Sequence, residues 1–259
     1  MTRGVDVIKF VISDVDGTLI YKNSHLNTAR FPVMLQKLAE QNIPFAVATG
    51  RHYRELKKLF GQYEKEILCI CCDGAYAVLD GATLYADAIE RSAVKHIFDA
   101  FRNLSVAVEF HSINCSYIFG ASPLLFSKEN SRLGNVIKIS DADEIKNDIF
   151  KISVYGVFKN FTLPEKLKLC YSSHGICEYV KSSASKFCAV KNICAMTGTD
   201  LSETLFFGDG QNDRELITSC GTSYTTYCAD KSVFSLADNH TRDVIGTIIR
   251  LAEKRQRSK

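Results

Sequence analysis

The chain has 259 residues, of which 46% are hydrophobic and 24% charged, and its formal net charge is +3. This composition is typical of a globular protein that buries a full core or divides into two unequal domains. Its longest apolar runs are too short to span a membrane, and the few residues before the first apolar run leave no room for a signal peptide. We therefore expect a cytoplasmic protein without a membrane partner. The basic tail, residues 254–259, is typical of a helix end, so no nucleic-acid partner is expected.

The ten cysteines do not follow a disulfide or zinc pattern. Cys69 and Cys72 have C-x-x-C spacing, but both fall in an apolar strand pattern and no second pair completes a zinc site. Free thiols in a reducing compartment are the expectation.

The first strand pattern ends in two carboxylates. A mostly apolar run from Val7 to Ile12 is followed by Asp14, Asp16 and the turn residue Gly17. Such a short run predicts a strand buried on both faces of a parallel sheet, whose carboxyl edge is where open α/β sheets bind ligands. Two negative charges at that edge are costly unless a cation lies between them, which indicates a divalent metal. Alternatively, both aspartates are solvated residues at a strand end.

Helix and strand patterns then alternate. Helical spacing covers Thr28–Gln41 and His52–Phe60, and short apolar strands cover Pro44–Ala48 and Ile67–Cys72. This order predicts a parallel, doubly wound α/β unit.

The pattern changes after Ala75. Asp80-Gly81 lies between two strand patterns, which is a strong hairpin signal. The following stretch mixes helices and strands in a way typical of an α+β domain with a largely antiparallel sheet. Its predicted helices are Ser92–Leu104 and Leu163–Tyr171, and its predicted strands are Val106–Phe110, Tyr117–Phe119, Ile149–Phe158 and Gly175–Val180.

Regular alternation returns near Ser183. The predicted elements are the helices Lys186–Met196, Asn212–Cys220 and Thr241–Lys254 and the strands Thr204–Phe207 and Ser223–Cys228. We therefore predict an α/β fold with a Rossmann-like, doubly wound parallel sheet as its core, formed by residues 1–81 and 184–259. Residues 82–183 are predicted to form an inserted α+β cap that determines substrate specificity and moves relative to the core.

Polar residues suited to phosphate chemistry end the predicted core strands. They are Asp14 and Asp16, the run Thr49-Gly50-Arg51, and the run from Gly208 to Asp213, while Lys186 begins a predicted helix. Together they offer a nucleophile, an acid/base, hydroxyl and amide donors, an ammonium and metal-binding carboxylates. Phosphoryl transfer through an aspartyl-phosphate needs such a set, and magnesium fits because it prefers oxygen ligands.

These motifs resemble those of the haloacid dehalogenase (HAD) superfamily of phosphatases. The matching runs are Asp14-Val-Asp-Gly-Thr-Leu19, Thr49-Gly-Arg51, Lys186 and Gly208-Asp-Gly-Gln-Asn-Asp213. Within the superfamily the chain resembles the Cof-type hydrolases, whose cap is inserted after the third core strand.

The resemblance implies a role for each matching position. Asp14 would be the nucleophile and a Mg²⁺ ligand, and Asp16 the general acid and base, with its main-chain carbonyl on the metal. Asp209 and Asp213 would be metal ligands. The phosphoryl group or the substrate would be bound by Thr49, Gly50, Arg51, Asp73, Lys186 and Asn212. From the residues alone, Thr49 can also be a helix N-cap, and Lys186 and Arg51 exposed helix residues.

Three positions depart from the family pattern. Asp73 stands where the family has Asn, Tyr227-Cys228-Ala229-Asp230 replaces Met-Gly-Asn-Ala, and Arg242-Asp243-Val244 replaces Asp-Gly-Val. These departures leave the substrate open. The expected function is Mg²⁺-dependent hydrolysis of a small phosphorylated metabolite such as a sugar phosphate. The alternatives are a phosphomutase or phosphotransferase that uses the same intermediate, and a catalytically silent regulatory member of the fold.

Overall fold

The structure is a computed structural model that describes residues 8–20, 25–157 and 161–257. Val7, Phe158 and tail residues 258 and 259, which the sequence predictions include, lie outside these ranges. No helix among the described residues is both long enough and apolar enough to cross a membrane.

The described residues form fourteen strands and eight α-helices. The strands are β1 Phe10–Ser13, β2 Phe45–Ala48, β3 Ile67–Cys71, β4 Tyr76–Leu79, β5 Ala82–Ala86, β6 Ala107–His111, β7 Ser116–Phe119, β8 Val136–Lys138, β9 Lys151–Tyr155, β10 Leu167–Ser173, β11 Ile176–Lys181, β12 Thr204–Gly208, β13 Thr222–Thr226 and β14 Asn239–Thr241. The helices are α1 Phe31–Ala39, α2 Tyr53–Phe60, α3 Arg91–Phe101, α4 Pro123–Leu133, α5 Lys186–Thr197, α6 Arg214–Ser219, α7 Lys231–Phe234 and α8 Val244–Arg257.

The chain divides into two compact units. The first comprises residues 1–50, 59–85 and 185–259, and the second comprises residues 51–58 and 86–184. The sequence prediction assigned residues 51–58 to the core, whereas in the structure they pack with the second unit. The side chains of Arg54 and Lys58 explain this placement. Arg54 donates to the Ser116 hydroxyl at 2.5 Å, and Lys58 donates to the main-chain carbonyls of Ser131 and Arg132 at 2.8 Å.

The first unit is built on an eight-stranded sheet in the order β14-β13-β12-β1-β2-β3-β4-β5. The pairs from β14 through β3 are all parallel, and β4 turns back antiparallel to β3. The parallel strands β1, β2, β3 and β12 consist of buried residues throughout, as expected for strands covered on both faces.

Helices cover both faces of this sheet. On one face, Phe10 and Ile12 of β1 pack in one cluster with Ala189 and Val190 of α5 and with Leu216 of α6. On the other face, the ring of Phe45 in β2 lies 6.1 Å from that of Phe31 in α1. Helix α8 packs beside α1, where Lys37 and Glu253 form an ion pair at 3.0 Å. This is the doubly wound, Rossmann-like arrangement predicted from the sequence, and the prediction of the fold class is confirmed.

The hairpin signal at Asp80-Gly81 is also confirmed. These two residues alone separate β4 from β5, and both have positive φ values of 46° and 76°. Two such residues in succession match the right-handed twist of the strands they connect.

The second unit contains a six-stranded sheet in the order β10-β11-β9-β6-β7-β8, which is antiparallel except for the parallel pair β7–β8. One face packs on α3, where Phe98 and Phe101 share a buried core with Val108 and Phe110 of β6. Alternate residues of the same strand, Glu109 among them, point to the opposite face.

One predicted helix was wrong, and the last strand of the first unit's sheet was not predicted. The helix predicted over Leu163–Tyr171 does not form: strand β10 begins at Leu167 within this range and pairs with β11 across the turn at His174-Gly175. The strand predicted last, now β13, is not the last one, because β14 adds a further parallel strand beside it.

Candidate active site

The carboxyl ends of β1 and β12 bring three aspartates together. The two strands are parallel neighbours in a register that pairs Ser13 with Phe207, and the Asp14 amide donates to the Phe207 carbonyl at 2.8 Å. Asp14 and Asp209 follow these strands directly and therefore lie side by side. The structure groups Asp14, Asp209 and Asp213 so that one carboxylate oxygen of each lies within 4.8 Å of the others.

Lys186 bridges two of these carboxylates. Its Nζ donates to Asp14 Oδ1 at 2.6 Å and to Asp213 Oδ1 at 2.8 Å, and only 2% of the residue is exposed. A lysine is rarely buried to this extent unless it is paired, as it is here.

Helix α5 positions Lys186 from its first turn. The helix begins at Lys186, and the Ser185 hydroxyl caps it by accepting from the Cys188 amide at 3.0 Å. The helix start lies against the turn after β3, since a Cβ atom on Gly74 would be 2.1 Å from the Ser185 carbonyl oxygen. Gly74 also has φ of +90°, so glycine is required at this position for two reasons.

Burial and the neighbouring charges shift the pKa values of the ionisable groups in this cluster. Burial raises the pKa of Asp14 well above its ordinary value; the Lys186 ammonium lowers this pKa in part, and repulsion from Asp213 and Asp209 raises it again. Burial also raises the pKa of Asp209, with a further contribution from Asp213. For Lys186, burial lowers the pKa, but the adjacent Asp14 and Asp213 carboxylates outweigh it and raise the pKa overall. These shifts describe a buried site with more negative than positive charge.

The turn after β1 packs closely on Asp209. The Thr18 hydroxyl donates to Asp209 Oδ1 at 2.8 Å. Gly17 has φ of +86°, and a Cβ atom there would lie 2.1 Å from Asp209 Oδ2. A side chain at position 17 would therefore displace the carboxylate. Sequence analysis did not assign Thr18 a role, although its place next to Gly17 in the turn after the first strand was a usable signal.

Asp213 organises the loop after β12. Its Oδ2 accepts hydrogen bonds from the amides of Asp209 and Gly210, both at 3.0 Å, while its Oδ1 accepts from Lys186. The residue is 1% exposed. Asp213 thus fixes both the lysine and the loop that carries Asp209.

A second group of predicted residues lies at the ends of β2 and β3. Thr49 is buried, and its carbonyl accepts from the Asp73 amide at 3.0 Å. Asn212 Nδ2 donates to Asp73 Oδ1 at 2.9 Å. A Cβ atom on Gly50 would be 3.2 Å from Asp73 Oδ2, so the Asp73 carboxylate lies over Gly50.

Asp16 and Arg51 are the two remaining predicted site residues, and the charge of Asp16 contributes to the raised pKa of Asp209. Asp16 is exposed in the turn after β1 and forms an isolated bridge with Ile20. Arg51 is half-buried and begins the 51–58 segment of the second unit.

A family model described as haloacid dehalogenase-like hydrolase matches residues 11–244 of the chain. The chain belongs to this family. The match includes every predicted site residue. The HAD resemblance and its Cof-type branch, predicted from the motifs, are confirmed, and the chain is a HAD-type phosphoric monoester hydrolase.

Two curated proteins that are named as phosphatases are similar to the chain over most of their length. The 5-amino-6-(5-phospho-D-ribitylamino)uracil phosphatase of Escherichia coli K12 is 22% identical over 249 residues, which cover 89% of each chain. The HMP-PP phosphatase of Klebsiella pneumoniae (strain 342) is 25% identical over 227 residues, which cover 83% of each chain.

Solved structures show the same HAD fold. A crystal structure from Eubacterium rectale superposes with a TM-score of 0.83 at 20% identity, covering 97% of this chain and 99% of that one. The HAD subclass IIB sugar phosphatase BT4131 superposes with a TM-score of 0.73 at 18% identity, covering 96% and 99%. At these sequence identities the structural similarity shows a shared fold and nothing more.

Proposed function

We propose that this HAD hydrolase cleaves the phosphate monoester of a small metabolite in a Mg²⁺-dependent reaction, through a phosphoryl group carried on Asp14. One observation carries the proposal: the Lys186 ammonium is buried between Asp14 and Asp213, with Asp209 in the same cluster. A buried carboxylate held next to a fixed positive charge is what in-line attack on a phosphorus atom requires.

Asp14 supplies the nucleophilic oxygen. Its Oδ1 accepts the hydrogen bond from Lys186, which leaves the second carboxylate oxygen to form the bond to phosphorus. As that bond forms, the bond from phosphorus to the substrate's ester oxygen breaks. Asp16 gives its proton to the departing alkoxide, and it later takes a proton from the water that attacks the phosphoryl group and frees Asp14.

The donor set fits a divalent cation. Three carboxylates within 4.8 Å of one another face one ammonium, so the cluster lacks positive charge. Their hard oxygen donors suit Mg²⁺, which in such sites binds to one or two carboxylates and to the substrate phosphate. Asp14, Asp209 and the Asp16 carbonyl would hold it, and it would supply charge neutralisation for the phosphoryl group. Asp213, whose two oxygens already accept hydrogen bonds, would act mainly by fixing Lys186 and Asp209.

The remaining positive and polar groups bind the phosphoryl oxygens. Lys186 neutralises charge on them, and the Thr49 hydroxyl and the Gly50 amide donate hydrogen bonds. Donors fixed before the reaction stabilise the developing charge without reorganising. Thr49 is suited to this task because the β2 strand end and its contact with the Asp73 amide fix its backbone.

The names of the relatives support a substrate class for this proposal. Both curated relatives described above are named as phosphatases, one of them acting on a phosphoribityl compound, and BT4131 is a sugar phosphatase. We therefore propose a small phosphorylated metabolite, such as a sugar phosphate, as the substrate. We also propose that the inserted cap sets the choice among such compounds. Exchanging it for the cap of a relative should then change the preferred substrate and leave the metal requirement unchanged.

The test is release of phosphate from p-nitrophenyl phosphate with Mg²⁺ and with EDTA. The wild-type enzyme should be active only with Mg²⁺, and Asp14→Asn should be inactive because an amide does not attack phosphorus. Asp80→Asn is the matched control, because Asp80 lies in the exposed β4–β5 turn and Asn tolerates its positive φ. No phosphate release by the wild type on any phosphate ester, or equal activity of Asp14→Asn, would overturn the proposal. The first outcome would favour the catalytically silent alternative.

A further inference from the structure

The Asp73 carboxylate lies among the residues to which we assign the phosphate. Its Oδ1 accepts from Asn212 at 2.9 Å, its amide donates to the Thr49 carbonyl at 3.0 Å, and its Oδ2 lies over Gly50. Asp73 also contributes to the raised pKa of Lys186, after burial and the Asp14 and Asp213 charges. The mechanism proposed above gives this carboxylate no task.

The backbone holds Asp73 in an unfavourable conformation. Its φ and ψ are 55° and 34°, and the preceding Cys72 also has positive φ, at 49°. Left-handed conformations cost a residue other than glycine about 1–2 kcal/mol, and Asp and Asn tolerate them better than most. Two such residues in succession fix the carboxylate at the end of β3.

The negative charge of Asp73 is electrostatically unfavourable next to the residues that would bind the phosphate. A phosphate dianion bound to Thr49, Gly50 and Lys186 would meet one more negative charge beyond the three-aspartate cluster. Asp73 is only half-buried, and a carboxylate has about four acceptor positions, of which Asn212 uses one. The carboxylate can therefore accept further hydrogen bonds from a bound molecule.

We infer that Asp73 is a specificity-determining residue that selects the leaving group of the substrate. It favours leaving groups with hydroxyl or ammonium donors, which can bind to the carboxylate. It disfavours leaving groups that carry a second anion close to the reacting phosphate, because the two negative charges repel each other. This inference rests on the proposed function and narrows its substrate class to phosphorylated polyols and amino alcohols.

Asp73→Asn tests the inference because it removes the charge and little else. Asn is close to Asp in size, tolerates positive φ, and its side-chain oxygen can still accept from Asn212. Asp73→Gly is the second variant, since glycine adopts this backbone conformation without strain. Thermal unfolding of both variants shows whether either has lost the fold.

The substrates are chosen as a matched pair. Glycerol 3-phosphate and 3-phosphoglycerate share a carbon skeleton and differ in a hydroxymethyl group against a carboxylate, and phosphoethanolamine carries an ammonium. The ratio of kcat/KM for 3-phosphoglycerate to that for glycerol 3-phosphate should rise about ten-fold in Asp73→Asn and in Asp73→Gly. Phosphoethanolamine should become a poorer substrate. Asp80→Asn should leave that ratio, and kcat/KM for phosphoethanolamine, unchanged.

The outcomes separate this inference from the proposed function. If the wild type releases phosphate and the ratio changes less than two-fold in both variants, Asp73 does not select the leaving group. The wild type can also cleave p-nitrophenyl phosphate but neither glycerol 3-phosphate nor 3-phosphoglycerate. In that case both compounds are tested as inhibitors of p-nitrophenyl phosphate cleavage, and the ratio of their inhibition constants replaces the ratio of kcat/KM. If the wild type cleaves no phosphate ester, the proposed function itself has failed.

Discussion

Replacing Lys186 with glutamine removes the one ammonium that bridges the aspartate cluster. The bridge consists of contacts of 2.6 Å to Asp14 and 2.8 Å to Asp213, and all three residues are buried. At about 3 Å and an effective dielectric constant of about 20, each opposite-charge pair is worth about 5–6 kcal/mol. Desolvation of the ions offsets several kcal/mol of that attraction. Breaking a buried pair from one side typically costs about 3–5 kcal/mol of unfolding free energy.

The loss of unfolding free energy in Lys186→Gln should depend on pH in a defined direction. Without Lys186, the folded-state pKa of Asp14 rises further, because the lowering by the ammonium is gone while burial and repulsion from Asp213 and Asp209 stay. A carboxyl group with a raised folded-state pKa stabilises the protein at low pH, and this contribution is lost as the pH rises through that pKa. The unfolding free energy of Lys186→Gln should therefore be closer to that of the wild type at pH 5 than at pH 8.

Urea unfolding followed by circular dichroism measures both effects. Lys191→Gln is the control, since Lys191 is an exposed residue of the same helix α5. Addition of Mg²⁺ should restore part of the stability of Lys186→Gln at pH 8 by supplying a cation to the cluster. If Lys186→Gln and Lys191→Gln differ by less than about 0.5 kcal/mol at pH 8, the ion bridge does not hold the cluster together.

Other substitutions and conditions test other parts of the account. Gly17→Ala should abolish activity, because its Cβ would lie 2.1 Å from Asp209 Oδ2. Gly81→Ala should lose only stability, because Gly81 has a similar φ but open surroundings. Equal kcat/KM in the two variants would contradict this reasoning. Asp16→Asn should slow phosphate release by about 10²–10⁴-fold, as expected on loss of a general acid and base, and a kcat within a factor of three of wild type would remove Asp16 from that role. EDTA should remove activity, Mg²⁺ should restore it, and Ca²⁺ should support little turnover because it binds more ligands at longer distances; full activity in Ca²⁺ would argue against the proposed geometry. Burial raises the pKa of Glu109 from 4.5 to about 7, so its stabilising contribution is complete below pH 4.5 and lost as the pH rises through 7. Glu109→Gln should thus be more stable than wild type at pH 8, by about 3 kcal/mol at most, and an unchanged pH dependence of unfolding between pH 5 and 8 would contradict the shift.

The core of the fold could be predicted because its signals are local. Strands β1, β2 and β3 are short apolar runs that end in polar turn residues, and Asp80-Gly81 marks its hairpin by residue type alone. Strand β10 could not be predicted in this way. Its sequence contains Lys and Leu, which favour helices, and it forms a strand because β11 pairs with it.

The same distinction applies to the candidate site. Asp14, Lys186 and Asp209 could be placed together because each begins or ends a predictable element. The 51–58 segment was assigned to the core because helical spacing does not show which surface a helix contacts. The side-chain contact between Arg54 and Ser116 spans 62 residues of sequence. The Asn212–Asp73 hydrogen bond is more remote still, since it joins loops 139 residues apart.

Trapping the phosphoryl-enzyme tests the central claim most directly. The enzyme is mixed with substrate and Mg²⁺, quenched in acid within one turnover, and digested for mass spectrometry, with Asp14→Asn treated in parallel. The proposed mechanism predicts one phosphoryl group on Asp14, which hydroxylamine removes as it does from an acyl phosphate. It predicts no phosphoryl group in Asp14→Asn. A phosphoryl group on another residue, or one that persists in Asp14→Asn, would contradict it.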